Sequence, residues 1–471
     1  MKDFDAIVIG SGPNGLAAAI TLQQQGLSVL VMEAKGTVGG GLRTQALTQA
    51  GYLHDVCSAI HPLAVASPFF SKHPLKDFGL EFIYPEVQAA HPFDNGTAAV
   101  LLSSLSQTAA LLGKDESTYL RLIEPLVNNW SSIHEDILAP FRIPKHPAKM
   151  AGFGWHALRS AQQLSSQFST EKGKGLLGGM AGHSIQPLSN LATSAIGLVL
   201  LTLGHTVGWP VPKGGSQAIA DAMTRYFISL GGNVQTRITV NNLSDLPPAK
   251  ALLFDVTPKQ LMSIAGDQFS SLYKWQLNRY RYGMGVFKMD WALDGPVPFI
   301  NEDCRKAGTV HLGNTFNEIA DAEKQTWNGK HPDKPFVLLA QPSIVDPSRA
   351  PDGKHTLWAY CHVPHRSAVD MSAAIENQIE RFAPGFKKRI VDKHVMNTQQ
   401  MQTYNANYIG GDINGGVLDI RQLYTRPALR RSPYRTSAKG IYICSSSTPP
   451  GGGVHGMCGY HAAQRALKDL F

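Results

Sequence analysis

The stretch DFDAIVIGSGPNGLAAAITLQQQGLSVLVMEA (residues 3–34) contains the signals of a complete βαβ unit. Its run AIVIG is rich in β-branched residues, which suit a buried parallel strand. The next segment repeats apolar residues at helical spacing and stops at Gly26, a residue type that commonly ends helices. The run LSVLVMEA then predicts a second buried strand that ends at Glu33. A strand, a helix and a second strand in this order predict a Rossmann-type unit.

The glycines of this unit have the spacing Gly10-x-Gly12-x-x-Gly15, between the first strand and the helix. The first glycine permits a tight turn, the second lets the backbone approach a pyrophosphate, and the third lets the helix pack closely on the strand. The helix N-terminus adds free N–H groups and the positive end of the helix dipole. Glu33 lies where a carboxylate binds ribose hydroxyls. We therefore predict a dinucleotide site at Gly10, Ser11, Gly12, Pro13, Asn14, Gly15, Glu33 and Ala34.

The end of the chain, GIYICSSSTPPGGGVHGMCGYHAAQRALKDLF (440–471), contains a second GxGxxG pattern, from Gly451 to Gly456. In a Rossmann unit the first glycine directly follows its strand, but here SSSTPP separates the strand IYIC from Gly451. The two prolines also break the strand-to-turn geometry. The fifteen residues after Gly456 fit one helix and leave no second strand for an acidic ribose ligand. We therefore expect this loop and helix to return to the first site.

Composition indicates a globular chain of 471 residues, long enough for two interleaved domains. The net charge of +8 suits an anionic cofactor, an acidic lipid surface or neither, and no basic cluster with aromatics predicts a nucleic-acid partner. The five cysteines form no CxxC pair and no cluster has metal-ligand spacing, so we predict neither a disulfide framework nor a metal site. Reduced thiols favour a cytoplasmic location.

The N-terminus predicts a strand rather than a signal peptide, because its first apolar run is short and begins almost at once. The longest apolar stretch, ATSAIGLVLLTLG (192–204), is too short to span a bilayer. It predicts a buried helix or part of a pocket wall. Peripheral contact of this stretch with a membrane remains open as an alternative.

A family resemblance emerges from three motifs together: GSGPNG with Glu33, VGGGLRT (38–44) and the C-terminal stretch quoted above. They resemble the phytoene-desaturase-type FAD oxidoreductases, in the branch of the pyridine nucleotide-disulfide oxidoreductase domain-containing proteins. Segments at 51–70, 178–184 and 208–223 add to the resemblance. It implies FAD as the cofactor.

The resemblance also implies which further residues hold the cofactor. The VGGGLRT segment would line the diphosphate and ribityl chain, with Arg43 as an anchor, and the strand VQTRITV would place backbone groups of Val240 against the adenine. Two serines would meet the diphosphate, and the C-terminal glycine loop would present backbone N–H groups to the flavin ring. The implied residues are Gly40, Gly41, Leu42, Arg43, Val240, Ser445, Ser446, Gly453, Val454, His455 and Met457.

The expected fold is α/β (α+β overall), with the architecture that phytoene desaturases share with amine oxidases. A discontinuous Rossmann-like FAD-binding domain would comprise residues 1–66, 208–266 and 418–471. A mixed substrate domain would comprise residues 67–207 and 267–417, helical first. In its second part, the alternating run TLWAYCHVPH predicts a sheet strand over a pocket.

Two histidines are the candidates for chemistry near the flavin. His61 lies in CSAIHP, which follows the N-terminal cofactor segment, and His183 lies in AGHS. Either could position the substrate or move a proton, although a structural role is the alternative for both. Cys57 lies in the same loop as His61 and is predicted to be a buried apolar filler.

The resemblance implies an FAD-dependent oxidoreductase: a dehydrogenase, desaturase or isomerase of an apolar, isoprenoid or carotenoid-like small molecule. Hydride would pass between the substrate and flavin N5, and oxygen or a quinone would accept the electrons. One alternative is an amine-oxidase-like flavoenzyme, which would have a polar, aromatic pocket. The other is an FAD-containing interaction protein without turnover, whose flavin would be shielded from any substrate-sized cavity. The absence of CxxC disfavours dithiol–disulfide chemistry.

Overall fold

Two large sheets organise the chain, whose computed structural model describes residues 3–423 and 425–471. One sheet has five strands and the other has seven, and two further pairs of strands are very short. The strands are β1 (Phe4–Ile9), β2 (Val29–Glu33), β3 (Thr44–Gln45), β4 (His54–Asp55), β5 (Phe82–Ile83), β6 (Val87–Pro92), β7 (Ala98–Leu101), β8 (Val211–Pro212), β9 (Asn233–Thr236), β10 (Ala249–Phe254), β11 (Gly285–Leu293), β12 (Ala307–Leu312), β13 (Val337–Ala340), β14 (His355–Val363), β15 (Ile390–Met396) and β16 (Ile441–Ile443).

Helices flank both sheets and also form a separate layer. In chain order they are α1 (Pro13–Gln23), α2 (Pro62–Val65), α3 (Pro68–Ser71), α4 (Leu105–Leu111), α5 (Glu116–Ile137), α6 (Pro147–Ala157), α7 (Ala161–Ser165), α8 (Glu171–Gly182), α9 (Thr193–Thr206), α10 (Gln217–Ser229), α11 (Pro258–Ala265), α12 (Ser271–Asn278), α13 (Glu302–Lys306), α14 (Phe316–Trp327), α15 (Pro342–Val345), α16 (Ser372–Phe382), α17 (Thr398–Tyr404) and α18 (Met457–Leu470). Helices α4 to α9 belong to the separate layer, whose core also includes side chains of β6 and β7.

The five-stranded sheet is parallel throughout, in the order β16-β10-β1-β2-β9. Its centre is the βαβ unit that the sequence predicts, and α1 is buried between the sheet, α10 and α18. Helix α1 starts with Pro13, whose fixed φ and missing N–H suit a first helical turn. The strand predicted through Val240 is shorter than expected. It ends at Thr236, because Arg237 has a φ of +62°, which extended backbone does not allow.

The seven-stranded sheet is mixed, in the order β15-β11-β14-β13-β12-β6-β7, with β12 and β6 parallel. Alternate residues of β14 point to opposite faces. Leu357, Ala359 and Cys361 join a core with α16, whereas Trp358 and Tyr360 join a different cluster with residues of α14. The predicted strand in TLWAYCHVPH is therefore confirmed, and its second face is available to a cavity.

The two sheets draw their strands from different parts of the chain. All strands of the parallel sheet fall within the three segments predicted for the dinucleotide domain, and all strands of the mixed sheet fall within the two intervening segments. The discontinuous Rossmann-like architecture is thus confirmed, whereas the domain boundaries themselves stay a prediction. The apolar stretch 192–204 forms most of α9 and is largely buried.

Candidate dinucleotide and substrate site

A cavity of about 640 Å³ lies between the two large sheets. One end is formed by the residues that follow β1, β2 and β10, which is the edge where open α/β sheets bind their ligands. The other end is formed by residues of β12, β13 and β14 together with α9. The cavity therefore joins a dinucleotide-binding edge to a second compartment under the mixed sheet.

The N-terminal glycine loop lacks room for side chains. Gly10 has a φ of +99°, in the left-handed region that favours glycine. A Cβ on Gly15 would lie 2.1 Å from the carbonyl oxygen of Gly10, and a Cβ on Gly12 would lie 2.7 Å from Oδ2 of Asp255. The loop is thus packed as the fingerprint predicts, with its backbone facing the cavity.

Glu33 lines the cavity at the end of β2 and is held by protein groups. Its Oε2 accepts hydrogen bonds from the backbone N–H and the hydroxyl of Ser11 (3.1 and 2.5 Å). Its Oε1 pairs with Nη2 of Arg43 at 3.1 Å. The other Arg43 nitrogens donate to Thr37 and to the carbonyl of Gly40. Arg43 lines the cavity but serves here to position Glu33 and the loop, and its direct contact with a cofactor stays a prediction.

Asp255 is a cavity residue that the sequence analysis missed. It follows β10 directly, and its Oδ2 accepts a hydrogen bond from the backbone N–H of Gly15 at 2.9 Å. Burial raises its pKa to about 7, and the charge of Glu33 adds to the rise, while the N–H of Gly15 opposes it. A signal was present in the sequence: parallel neighbours end at the same sheet edge, so a carboxylate after β10 belongs beside the glycines after β1.

The C-terminal glycine loop lines the same cavity as the N-terminal one. Ser446, Gly453 and Val454 are in its wall. His455 lies behind that wall, where its Nδ1 accepts the backbone N–H of Met457 at 3.0 Å and its Nε2 lies 3.2 Å from the carbonyl of Gly451. The N–H of Met457 is therefore occupied by the loop itself.

Most of the predicted site residues line this one cavity. Four of them, Gly15, Ser445, His455 and Met457, lie outside the cavity wall. Those that line the cavity are Gly10, Ser11, Gly12, Pro13, Asn14, Glu33, Ala34, Gly40, Gly41, Leu42, Arg43, His61, His183, Val240, Ser446, Gly453 and Val454.

His61 is a buried, neutral imidazole in the cavity wall. Its Nε2 lies 2.7 Å from the hydroxyl of Ser216, and that hydroxyl donates its single proton to the carbonyl of Ser58 at 2.6 Å. Nε2 of His61 must therefore be the donor, which leaves a lone pair on Nδ1. Among the described residues this Nδ1 has no partner. Burial lowers the pKa of His61 to about 4, so the ring is neutral at neutral pH.

His183 forms a pair with His311, which the sequence analysis missed. Their Nε2 atoms are 2.9 Å apart, so one ring donates to the other. Nδ1 of His311 is buried without a partner in the described part of the chain, and a bare lone pair there is less costly than a bare N–H. We therefore assign the shared proton to His311 and the Nδ1–H form to His183. Burial lowers the pKa of His183 to about 3, which keeps it neutral.

A row of side chains from the mixed sheet forms one wall of the compartment beneath it. The strand register places Thr309, Ala340 and Trp358 side by side across β12, β13 and β14. Trp358 and Tyr360 lie in the same wall with perpendicular rings, 5.1 Å between centroids. Oγ1 of Thr309 and Nε1 of Trp358 are buried and have no hydrogen-bond partner among the described residues. These polar atoms could each bind an uncharged polar group.

Comparisons with known proteins agree with this geometry. Residues 8–71 match the model of the NAD(P)-binding Rossmann-like domain. The chain is 25% identical to pyridine nucleotide-disulfide oxidoreductase domain-containing protein 2 of Mus musculus, over 99% of this chain and 94% of that protein. It is 22% identical to phytoene desaturase (lycopene-forming) of Pseudescherichia vulneris, over 98% of this chain and 99% of the other.

A solved structure shows the same architecture. Wild-type putrescine oxidase bound to putrescine matches with a TM-score of 0.63 at 17% identity, over 100% of this chain and 99% of that one. At this identity the likeness establishes the fold alone, which confirms the expected architecture. The sequence relatives cover the whole chain and confirm the family resemblance. The chain is a distant, full-length homologue of pyridine nucleotide-disulfide oxidoreductase domain-containing protein 2 and of phytoene desaturases.

Proposed function

We propose that the protein is an FAD-dependent oxidoreductase, a dehydrogenase, desaturase or isomerase, that acts on an uncharged apolar substrate of the isoprenoid or carotenoid kind. The observation that carries this proposal is a continuous cavity that joins the dinucleotide edge to an uncharged compartment. A non-enzymatic role would need a cofactor shielded from any such compartment, so the cavity disfavours it.

The residues of the dinucleotide edge suit FAD. The side-chain-free loop at Gly12 would admit the diphosphate, and Glu33 would meet ribose hydroxyls. The C-terminal loop at Gly453 and Val454 would face the flavin end. When bound, FAD supplies a hydride acceptor at flavin N5. The chain's own task is to orient both molecules and keep water out.

The substrate compartment lacks a counter-ion for an amine. Within the described residues, the charged side chains that line the cavity are Glu33, Lys35, Arg43 and Asp255, and all four lie at the dinucleotide edge. The walls of the other end are mainly aliphatic and aromatic, with Ile185, Ile196, Leu200, Trp209, Leu338, Trp358 and Tyr360. A buried ammonium ion without a partner would be strongly disfavoured there. We therefore favour an apolar substrate over an amine, although the compartment shares the aromatic side chains expected for an amine oxidase.

His183 would hold a polar group of the substrate in this compartment. Its Nδ1–H has no hydrogen-bond partner among the described residues, and its ring is fixed by the bond to His311. A neutral donor of this kind orients a hydroxyl or carbonyl oxygen without introducing charge. His61, with a free lone pair on Nδ1, would accept a proton or a hydrogen bond from the substrate.

The location and the electron acceptor complete the proposal. All five cysteines are free and buried, which supports a reducing compartment such as the cytoplasm. Burial raises the pKa of Cys57, so this cavity-lining thiol stays protonated. Oxygen or a quinone would accept the electrons from the reduced enzyme.

Anaerobic stopped-flow reduction of the purified protein tests the proposal. We expect one FAD per chain, bleached by some members of a panel of apolar alkenes and alcohols and not by primary amines. Reduction by amines alone would replace the proposal with the amine-oxidase alternative. A chain without FAD after reconstitution would refute the cofactor assignment. Reoxidation by oxygen and by a soluble quinone, measured separately, distinguishes the two acceptors.

A further inference from the structure

We propose that the buried guanidinium of Arg426 is a fixed positive charge that favours the reduced form of the bound cofactor. The proposal rests on the proposed function, in which FAD accepts a hydride. Arg426 lies outside the cavity wall and outside the motifs that carry the family resemblance. It would act on the flavin end of the site through the wall, by its charge, and not by contact.

Arg426 differs from the other buried arginines because it has no carboxylate partner. The buried arginines among the described residues are Arg43, Arg349 and Arg426. Arg43 pairs with Glu33 at 3.1 Å. Arg349 pairs with Asp55 at 2.9 Å. Arg426 is fully buried without an ion pair in the described part of the chain, and its Nε and Nη1 have no hydrogen-bond partner there. Since an arginine keeps its charge inside proteins, a full positive charge is buried here without a counter-ion.

The surroundings of Arg426 are poor in acidic groups. Residues 420–468 contain no Asp or Glu. The charge of Arg426 reaches Asp412, where it opposes the rise in pKa that burial causes. The oxygens of that carboxyl accept backbone N–H groups at 2.7 to 3.0 Å instead of the guanidinium. Because burial of an unpaired ion is strongly unfavourable, an anion close to Arg426 would be bound favourably.

Hydrogen bonds hold the guanidinium directly behind the C-terminal glycine loop. Its Nη2 donates to the carbonyl of Ser446 at 2.8 Å and to the hydroxyl of Tyr280 at 3.1 Å. Its Nη1 lies 3.5 Å from where a Cβ of Gly451 would be. Ser446 and Gly452 line the cavity. The cation therefore lies one layer of backbone behind the cavity wall.

Reduction of the cofactor would supply the missing negative charge. A hydride from the substrate brings two electrons and one proton, and so adds one negative charge to the flavin end of the site, while a second hydrogen of the substrate leaves as a proton. The diphosphate is expected at Gly12, beside the N-terminus of α1, whereas Gly453 and Val454 are expected at the flavin end. Because Arg426 lies behind the loop that contains Gly453 and Val454, we assign its charge to the flavin. Opposite charges attract more strongly in a dry interior than in water.

The reduction potential of bound FAD tests this assignment. The material is the full-length holoprotein, none of whose described helices is long and apolar enough to cross a membrane. The potential is measured by slow anaerobic reduction in the presence of a reference dye. Arg426→Met and Arg426→Gln remove the charge, and the glutamine keeps a donor for the carbonyl of Ser446. Arg426→Lys keeps the charge.

Two further variants are matched controls. Arg431→Met removes the same charge from an exposed position five residues along the chain. Tyr280→Phe removes a hydrogen-bond partner of Arg426 and leaves the charge in place.

We expect reduced FAD to bind wild-type protein more tightly than oxidised FAD, so that bound FAD has a higher potential than free FAD. In both neutral variants this preference for the reduced form should fall at least about tenfold. A tenfold change in a two-electron equilibrium lowers the potential by about 30 mV. Arg426→Lys and the two control variants should keep the preference within about threefold of wild type.

Several outcomes would overturn the assignment. One is an unchanged potential in both neutral variants, and another is wild-type FAD with a potential below that of free FAD. An equal fall in Arg426→Lys or in Tyr280→Phe would show that the hydrogen bonds of the loop, and not the charge, matter. Loss of FAD from both neutral variants would lead to the same conclusion. In all these cases wild-type protein still binds FAD and the proposed function stands, whereas a wild-type chain that binds no FAD would refute both.

Discussion

Asp255→Asn should remove a pH-dependent penalty at the dinucleotide edge. The Asp255 carboxyl lies directly beneath the glycine loop, because its Oδ2 accepts the N–H of Gly15 at 2.9 Å and stands 2.7 Å from where a Cβ of Gly12 would be. Asparagine is isosteric and keeps an oxygen for the Gly15 N–H. It carries no charge at any pH, and its amide adds donors beside the expected diphosphate.

The size of the effect follows from the raised pKa. The rise of the Asp255 pKa from 3.8 to about 7 corresponds to about 4 kcal/mol in the free energy of unfolding, at about 1.4 kcal/mol for each pKa unit. The folded state holds a proton that the unfolded state has released, so stability falls as pH rises from about 4 to about 7. Above that range the folded protein bears the full cost of a buried charge. The asparagine variant should therefore be more stable than wild type at alkaline pH and lose its advantage below about pH 4.

Cofactor binding should show the same signature. A diphosphate above the carboxyl raises its pKa further, so FAD binding at alkaline pH must take up a proton. The wild-type dissociation constant should then rise up to about tenfold per pH unit above about pH 7, while that of Asp255→Asn stays nearly constant. Titration calorimetry in two buffers with different ionisation enthalpies counts the proton directly.

A surface carboxylate provides the control for this experiment. Asp245 is exposed and accepts hydrogen bonds from the backbone N–H groups of Asn241 and Asn242, so Asp245→Asn should leave the pH profile of FAD binding unchanged. Wild-type binding that is independent of pH would show that Asp255 does not titrate beside the cofactor. Weaker binding by Asp255→Asn at alkaline pH would show that the carboxylate itself supports the loop.

The remaining predictions concern the glycine loops and the two histidines. Gly12→Val should abolish FAD binding, because a branched side chain would occupy the space that the diphosphate needs; folded protein that retains stoichiometric FAD would contradict this. Gly453→Val with Gly456→Val should weaken FAD binding with the fold kept by circular dichroism, because the backbone N–H groups of this loop could then no longer approach the flavin ring closely; full occupancy, or two nucleotides per chain, would defeat the single-site interpretation. His61→Ala and His183→Ala should keep FAD and slow its reduction by substrate about 100- to 10,000-fold in stopped-flow measurements; unchanged rates would assign both rings a structural role.

Local sequence patterns were sufficient for the βαβ unit, because every signal in residues 3–34 concerns neighbours along the chain. The apolar periods, the glycine spacing and Gly26 as a stop all act within one element or one turn. The same holds for the C-terminal loop, whose short remainder after Gly456 excludes a second Rossmann unit by length alone. The prediction of a strand through Val240 is wrong beyond Thr236, because Arg237 takes a backbone conformation that its residue type rarely adopts.

The missed residues all depend on contacts between distant segments. Asp255 is separated from Gly15 by 240 positions, and His311 from His183 by 128. Their roles depend on the order of the strands in each sheet and on the packing of helices against those strands. Periodicity gives the existence of a strand but not its neighbours in the sheet. The family resemblance predicted the loops that hold the cofactor. It could not predict Asp255 or His311, because neither lies in the motifs that carry the resemblance.

The question posed by two glycine motifs in one chain is answered by the contact between α1 and α18. These helices pack together at Gly459, where a Cβ would lie 1.8 Å from the carbonyl oxygen of Asn14. Only a residue without a side chain lets the start of the last helix lie against the start of the first. This contact holds Gly453 in the wall of the cavity. Gly12, near the other end of the sequence, lines the same cavity. The dinucleotide edge is therefore completed by the loop that precedes the final helix, and the βαβ unit supplies only part of it.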